Sequence, residues 1–253
     1  MYRHGLMSSR LADMVSTARW ALRERSVLPV ARSMAKAPMV MRAERQLLAL
    51  ESVTVPELLR MVGSAGLTIP PATTEHHRWQ IGAVEQALLA EIARCSGARS
   101  AFELGTFDGG TTLALANAVG PDGIVHTIDL PDEAFDRTQS PSAFTSNDIG
   151  RAYRQAPDEP RAEIVQHRGD TTVFDFSQWA GAIDLVLVDG AHDRDHGVSD
   201  STTALALVRP GGWVFWDDVE PYWHGLVDGI ISTVGADRLT KVARTSLAFA
   251  RVS

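Results

Sequence analysis

Apolar positions along the chain follow two different periods. Near the start, Leu11, Met14, Val15, Ala18 and Leu22 share one face at helical spacing, with Arg10, Asp13, Ser16, Arg19 and Arg23 around the rest of the cylinder. Pro29 divides this predicted helix from a second one running towards Leu50, so the first fifty residues read as helical. Pro56 to Val62 predicts a short helix, with Pro56 tolerated in its first turn and Gly63 near its end. Thr68-Ile69-Pro70-Pro71 reads as a linker, because two prolines disfavour helix and strand interiors. From Trp79 onward, Ile81, Val84, Leu88 and Ile92 predict a helix leading into the main body.

After Gly97 the period changes to short apolar strands alternating with helices. Strands are expected at 100–104, 124–130, 162–167, 183–188, 212–217, 239–244 and 247–252. Helices are expected after Thr111, around Ala152, after Phe174, after Asp195 and after Trp223. Ile183-Asp184-Leu185-Val186-Leu187-Val188 is nearly continuously apolar, the pattern of a central parallel strand covered on both faces. Such alternation implies an α/β doubly wound sheet. The last two strands leave no room for a helix between them and should pair antiparallel at an edge. The chain therefore divides into a helical N-terminal extension, residues 1–70, and a main domain, residues 71–253.

Composition adds limits. The single cysteine, Cys95, excludes an internal disulfide, and no run approaches the roughly 18–20 apolar residues of a membrane span. A soluble, cytoplasmic protein is the expectation. The net charge of −7 is uneven: residues 1–50 hold nine Lys/Arg against three acids, a net of +6, which leaves −13 for the remainder. An acidic body repels phosphates and argues against nucleic acid as substrate. The basic extension suits a lid, an oligomer interface or an acidic partner.

Four motifs carry chemistry. In Phe102-Glu103-Leu104-Gly105-Thr106-Phe107-Asp108-Gly109-Gly110-Thr111-Thr112 a strand enters a glycine-rich turn that opens a helix. Its Glu-x-Gly-x-x-x-Gly spacing departs from the G-x-G-x-x-G of dinucleotide folds, and Glu103 would repel a pyrophosphate while suiting ammonium and sulfonium charge. Asp129, 24 residues after Gly105 at the end of the next strand and followed by Leu130, can accept two ribose hydroxyls. Gly169-Asp170-Thr171 ends the third strand, where Asp170 and Thr171 either reach an adenine edge or merely cap a turn.

Together these three motifs resemble the cofactor half of class I S-adenosylmethionine-dependent methyltransferases, over roughly Ser100 to the C-terminus. The resemblance implies a Rossmann-like sheet of seven strands in the order 3-2-1-4-5-7-6 with strand seven antiparallel. It places Glu103 near the methionine end, Gly105, Thr106, Phe107, Gly109 and Thr111 around the cofactor, and Asp129 on the ribose.

The fourth motif joins Val188-Asp189-Gly190-Ala191-His192-Asp193-Arg194-Asp195-His196 to Trp216-Asp217-Asp218, with Asp217 28 residues after Asp189. Both groups fall at the C-terminal ends of adjacent central strands, where open α/β sheets bind ligands. Three carboxylates converging there need protons or a cation, and oxygen-only ligation suits Mg²⁺ or Ca²⁺, with Mn²⁺ possible. The alternative is a metal-free site with Asp189 facing the sulfonium. The motif resembles the metal-dependent small-molecule O-methyltransferases of the catechol and macrocin types, the latter with Asp-Gly-x-His; Ala191 departs from relatives that carry a second acid there. His192 stands where catechol-type enzymes carry a catalytic lysine and is a candidate base, with Asp193 and His196 as competitors. Tyr222 and Trp223 are candidate substrate contacts, whereas Trp213 and Trp216 read as sheet packing. The reading is methyl transfer to a small-molecule hydroxyl; a non-catalytic cofactor-binding module is the rival from another class, and the loop spacing disfavours an NAD-dependent oxidoreductase.

Overall fold

The computed structural model describes residues 27–69, 80–138, 145–156, 160 and 162–253. The amphipathic segment from Leu11 to Leu22, the two prolines of the linker and Trp79 lie outside the described residues.

A single sheet organises the chain. Its strands are β1 (Glu51–Val53), β2 (Ser100–Leu104), β3 (Ile124–Asp129), β4 (Glu163–Arg168), β5 (Ile183–Val188), β6 (Val208–Trp216), β7 (Thr240–Val242) and β8 (Ala248–Arg251), in the order β1-β7-β8-β6-β5-β2-β3-β4. The seven strands from β2 onward follow the expected 3-2-1-4-5-7-6 order, and β8 is antiparallel to both β6 and β7. An eighth strand, β1, was not expected: it pairs parallel with β7 at the edge, inside a segment read as helical.

β5 lies between β2 and β6, parallel to both, and Ile183, Leu185, Val186, Leu187 and Val188 are all buried. β6 starts earlier than expected because Val208 pairs with Ile183; Pro210 has no N–H and Gly211 sits at φ +80°, so the ladder slips and resumes at Trp213.

The helices are α1 (Val27–Ala49), α2 (Val55–Met61), α3 (Ala83–Cys95), α4 (Gly110–Val119), α5 (Asp132–Thr138), α6 (Arg151–Arg154), α7 (Arg194–Leu207) and α8 (His224–Val234). Thr54 and Glu57 form a capping box at α2. Buried Leu88, Leu89 and Ile92 of α3 pack on one face of the sheet with Leu115 and Ala116 of α4. Val84, expected on the buried stripe of α3, is 43% exposed. On the opposite face Leu226, Val227 and Ile230 of α8 join Ala204 and Leu207 of α7, and Ala43 of α1 closes that layer. Arg42 and Arg194 both pair with Asp228, tying α1 and α7 to α8.

The crossover from β4 to β5 holds no α-helix, contrary to expectation. Asp170 accepts from Thr172 N and Asp175 from Ser177 N; these Asx turns divert the chain, leaving only a 3₁₀ turn at Ser177–Trp179. Phe174, Phe176 and Trp179 cover the sheet there, against Phe102, His126 and His167. The unexpected α5 begins after Pro131, with Asp132 and Glu133 in its first turn. Among the described residues no helix is long and apolar enough to cross a membrane.

Candidate active site

The backbone ladder runs past the strand ends: Gly105 N donates to Ile128 O, Asp189 N to Leu104 O, Asp217 N to Val188 O and Gly169 N to Asp129 O. The residues just beyond β2, β4, β5 and β6 are thus held as firmly as the strands themselves. Around them opens a cavity of about 760 Å³. Gly105, Phe107, Asp129, Leu130, Asp170 and Thr171 line it on one side, and Asp189, His192, Asp217, Asp218 and Trp223 on the other.

The glycine-rich turn is built around Asp129. Its Oδ2 accepts Thr106 N at 3.1 Å and Phe107 N at 2.8 Å, and its Oδ1 accepts Leu130 N at 2.8 Å. Burial raises its pKa, and these hydrogen bonds oppose that rise. Phe107 is held at φ 47° and faces the cavity, where Phe135 and Leu130 extend the apolar wall.

The glycines make room for the protein's own chain. A Cβ on Gly105, at φ +103°, would lie 1.9 Å from Asp189 O, and one on Gly109, at φ +81°, would lie 2.6 Å from the Tyr153 ring. Close packing between the β2 and β5 loops accounts for Gly105, and Tyr153 accounts for Gly109. Gly109, Thr106, Thr111 and Glu103 stand outside the cavity lining. Glu103 lies beneath the turn, accepting from Thr112 Oγ1 at 2.5 Å and Thr127 Oγ1 at 2.7 Å, and burial pushes its pKa up to about 8.

At the other side, one oxygen each from Asp189, Asp217 and Asp218 lie within 4.8 Å of one another. In an extended strand Asp217 and Asp218 would point to opposite faces. Asp218 instead adopts φ 54°, a left-handed conformation that Asp tolerates, and both carboxylates meet Asp189. Burial and mutual repulsion push Asp189 well above the usual carboxylate range and Asp217 to about 6. Among the described residues no Lys or Arg forms an ion pair with any of the three. A half-buried, oxygen-only donor set with no ion-paired Lys or Arg fits a hard divalent ion.

His192 Nε2 lies 2.6 Å from Asp218 Oδ2, and its ring stacks on Trp223 at 4.2 Å between centroids. Its competitors are engaged elsewhere. Asp193 caps α7, with Oδ1 accepting from Asp195 N and His196 N, and its Oδ2 lies 2.7 Å from His196 Nδ1. His196 also lines the cavity. Tyr222 is 66% exposed and outside the lining, whereas Trp223 is part of it. Trp216 is fully buried with Nε1 donating to Ser201 Oγ, and Trp213 packs on Phe215 and Phe249.

Several lining residues escaped the sequence reading. Gln80, Ile81 and Gly82 come from the segment leading into α3, Glu85 from its first turn, and Ser246 from the β7–β8 turn. Asp200 of α7, 1% exposed, lies beneath Gly190 with Oδ1 unpartnered. Its only sequence signal was a charged residue on the inner face of a helix.

Residues 102–219 match the protein family described as methyltransferase domain. That match agrees with the sheet order, which is that of a Rossmann-like methyltransferase fold. The chain is 28% identical over 159 residues to caffeoyl-CoA O-methyltransferase 2 of Zea mays, an alignment covering 61% of this chain and 55% of that one. It is 30% identical over 164 residues to tricin synthase 1 of Oryza sativa subsp. japonica, covering 61% and 59%. The chain thus spans little more than half the length of these relatives. Its fold is similar to that of the O-methyltransferase TomG from Streptomyces achromogenes, involved in tomaymycin synthesis and solved in complex with SAM. That likeness has a TM-score of 0.50 at 23% identity over 79% of this chain and 87% of that one.

Proposed function

We propose that this protein is an S-adenosylmethionine-dependent O-methyltransferase that acts on a hydroxyl of a small molecule with the help of Mg²⁺ or a similar divalent ion. The observation that carries the reading is the pairing, in one cavity, of the Asp129-braced glycine turn with the cluster of Asp189, Asp217, Asp218 and His192. The O-methyltransferase names of the relatives support it.

Asp129 holds the ribose, while Gly105, Phe107 and Leu130 enclose the cofactor and Asp170 and Thr171 meet the adenine edge. Thr106, Gly109 and Thr111 shape the turn from behind, and Glu103 stabilises it from below. S-adenosylmethionine supplies a methyl group already activated by its sulfonium charge. Asp189, Asp217 and Asp218 hold the divalent ion, which when bound supplies Lewis-acid polarisation of the acceptor hydroxyl. His192, donating Nε2–H to Asp218, keeps Nδ1 as the acceptor for the hydroxyl proton. The acceptor oxygen takes the methyl carbon as the carbon–sulfur bond breaks. Alignment in the cavity supplies most of the acceleration. Trp223 walls the acceptor end, and α1, packed against the Pro221–Trp223 turn, backs that wall as part of the 1–70 extension.

Calorimetric titration with S-adenosylmethionine, in Mg²⁺ and in EDTA, tests the cofactor half. Release of S-adenosylhomocysteine from a panel of phenols, flavonoids and sugars under the same two conditions tests the rest. Binding in both conditions with metal-stimulated turnover is the expected result. No binding in either condition removes the methyltransferase reading in favour of a non-catalytic module, and full turnover in EDTA removes the metal.

A further inference from the structure

The Asp217 carboxylate is held by Ser246, which Glu85 anchors in turn; these two residues lie far apart in the chain and outside the matched methyltransferase region. Ser246 Oγ donates to Asp217 Oδ1 in a short hydrogen bond. Glu85 Oε1 accepts Ser246 N at 2.9 Å and lies 3.0 Å from Ser246 Oγ. A serine hydroxyl has a single hydrogen, so with that hydrogen on Asp217 the backbone N–H serves Glu85. Glu85 reaches inward from the first turn of α3 because Gly82 leaves space: a Cβ there would lie 2.3 Å from Glu85 Oε2.

The turn that carries Ser246 is itself pinned. Lys241 Nζ donates to Thr245 O at 2.5 Å and Leu247 O at 2.9 Å, and Val242 O lies at 3.4 Å. Arg244, at φ 66°, takes the chain through the turn, and Thr245 Oγ1 donates to Val242 O. Lys241 thus spends its donors on carbonyls and gives its charge to no single carboxylate, although Glu220, Asp217 and Glu85 all attract it.

We infer that Ser246, anchored by Glu85 and by the Lys241-pinned turn, is a positioning residue that orients Asp217 as a ligand for the divalent ion. This rests on the metal reading proposed above. Fixing one ligand's rotamer before binding removes an ordering cost, and loss of such a supporting hydrogen bond typically lowers metal affinity about 10–100-fold.

The test is Mn²⁺ binding to the full chain, read by electron paramagnetic resonance without acceptor, in the wild type, Ser246→Ala, Ser246→Thr and Glu85→Ala. Ser246→Ala is expected to weaken Mn²⁺ binding about 10–100-fold. Ser246→Thr, which keeps the hydroxyl, should restore affinity to within about threefold, and Glu85→Ala, which leaves Ser246 without its anchor, should weaken it by a smaller factor. Circular dichroism checks folding, and Glu85→Ala carries the test if Ser246→Ala does not fold. Wild-type Mn²⁺ affinity in both alanine variants overturns the positioning role. Absence of Mn²⁺ binding by the wild type overturns the metal reading itself, and the inference with it.

Discussion

His192 and Asp218 come from loops after neighbouring strands, and their side chains meet with Nε2 2.6 Å from Oδ2 while the imidazole lies against the Trp223 ring. The carboxylate fixes which nitrogen carries the proton, and the indole fixes the plane of the ring. A base held in this way needs little reorganisation to accept a proton. His192→Gln is therefore expected to lower the rate of S-adenosylhomocysteine release by about 10²–10⁴-fold with any acceptor found in the panel. The Kd for S-adenosylmethionine, measured by calorimetry, should change by less than about twofold, because His192 follows β5, which β2 separates from the β3 strand that ends in Asp129. An unchanged rate assigns the proton transfer to another group, with His196 next in line.

The glycine turn offers a graded test of steric fit. Gly105→Ala puts a methyl group 1.9 Å from a backbone carbonyl at φ +103°, where neither partner can yield without moving a strand end. We expect a fall in Tm of about 5–15 °C, the range for a loss of several kcal/mol in a chain of this size. Gly63→Ala, at φ +73° with nothing within 4 Å of the added carbon, isolates the backbone penalty alone. It should lower Tm by only a few degrees, following from about 1–2 kcal/mol for a left-handed non-glycine residue. Equal shifts in calorimetric Tm would show that the contact with Asp189 contributes nothing.

The legible parts of this chain were those where local pattern and tertiary environment agree. β5 could be read directly because burial on both faces demands an unbroken apolar run, and Asp189 stood out as the first acid after it. Asp217 and Asp218 were visible for the same reason after β6. β1 was not legible: Glu51-Ser52-Val53 is short and half polar, and only pairing with β7 makes it a strand. A helix was expected after Phe174 because nothing apolar marked the Asx turns at Asp170 and Asp175. Glu103 was expected at the cofactor, yet Thr112 and Thr127 use its Oε2 beneath the turn. Glu85 and Ser246 lie 161 positions apart, and no window on the sequence joins them.

The pair His126 and His167 gives the fold a dependence on acid. Burial among Phe102, Trp179 and His167 lowers the His126 pKa from 6.5 to about 4, and burial also lowers that of His167. Between those two values the unfolded chain binds a proton at His126 that the folded chain does not, so stability falls as pH drops from 6.5 towards 4. The loss is on the order of 3 kcal/mol for His126. Asp129, Asp189 and Asp217, whose pKa values are raised, pull the other way at acid pH, so the comparison must be between variants. His126→Phe should lose less Tm than the wild type between pH 7 and pH 5 in differential scanning calorimetry. Parallel curves would exclude His126 as the source.

The acid cluster should make the metal-free protein less stable than it need be. Asp217 is 7% exposed, faces Asp218 and Asp189, and holds its carboxyl at about 6 in place of 3.8, so its ionised form opposes folding at neutral pH. That opposition is roughly 1–3 kcal/mol. Asp217→Asn keeps the shape, can still accept from Ser246, and removes the charge. In EDTA the variant is therefore expected to melt a few degrees above the wild type. With Mg²⁺ added the order should reverse, because an ion that binds only the folded wild type stabilises it by mass action while the variant has lost a charged ligand. A variant that melts below the wild type in EDTA would mean that Asp217 is held by its hydrogen bonds more than it is opposed by its neighbours. A wild type whose Tm ignores Mg²⁺ would instead separate the cluster from any metal, leaving its repulsion to be relieved by protonation of Asp189, whose pKa is pushed well above the ordinary range by burial and by its acidic neighbours.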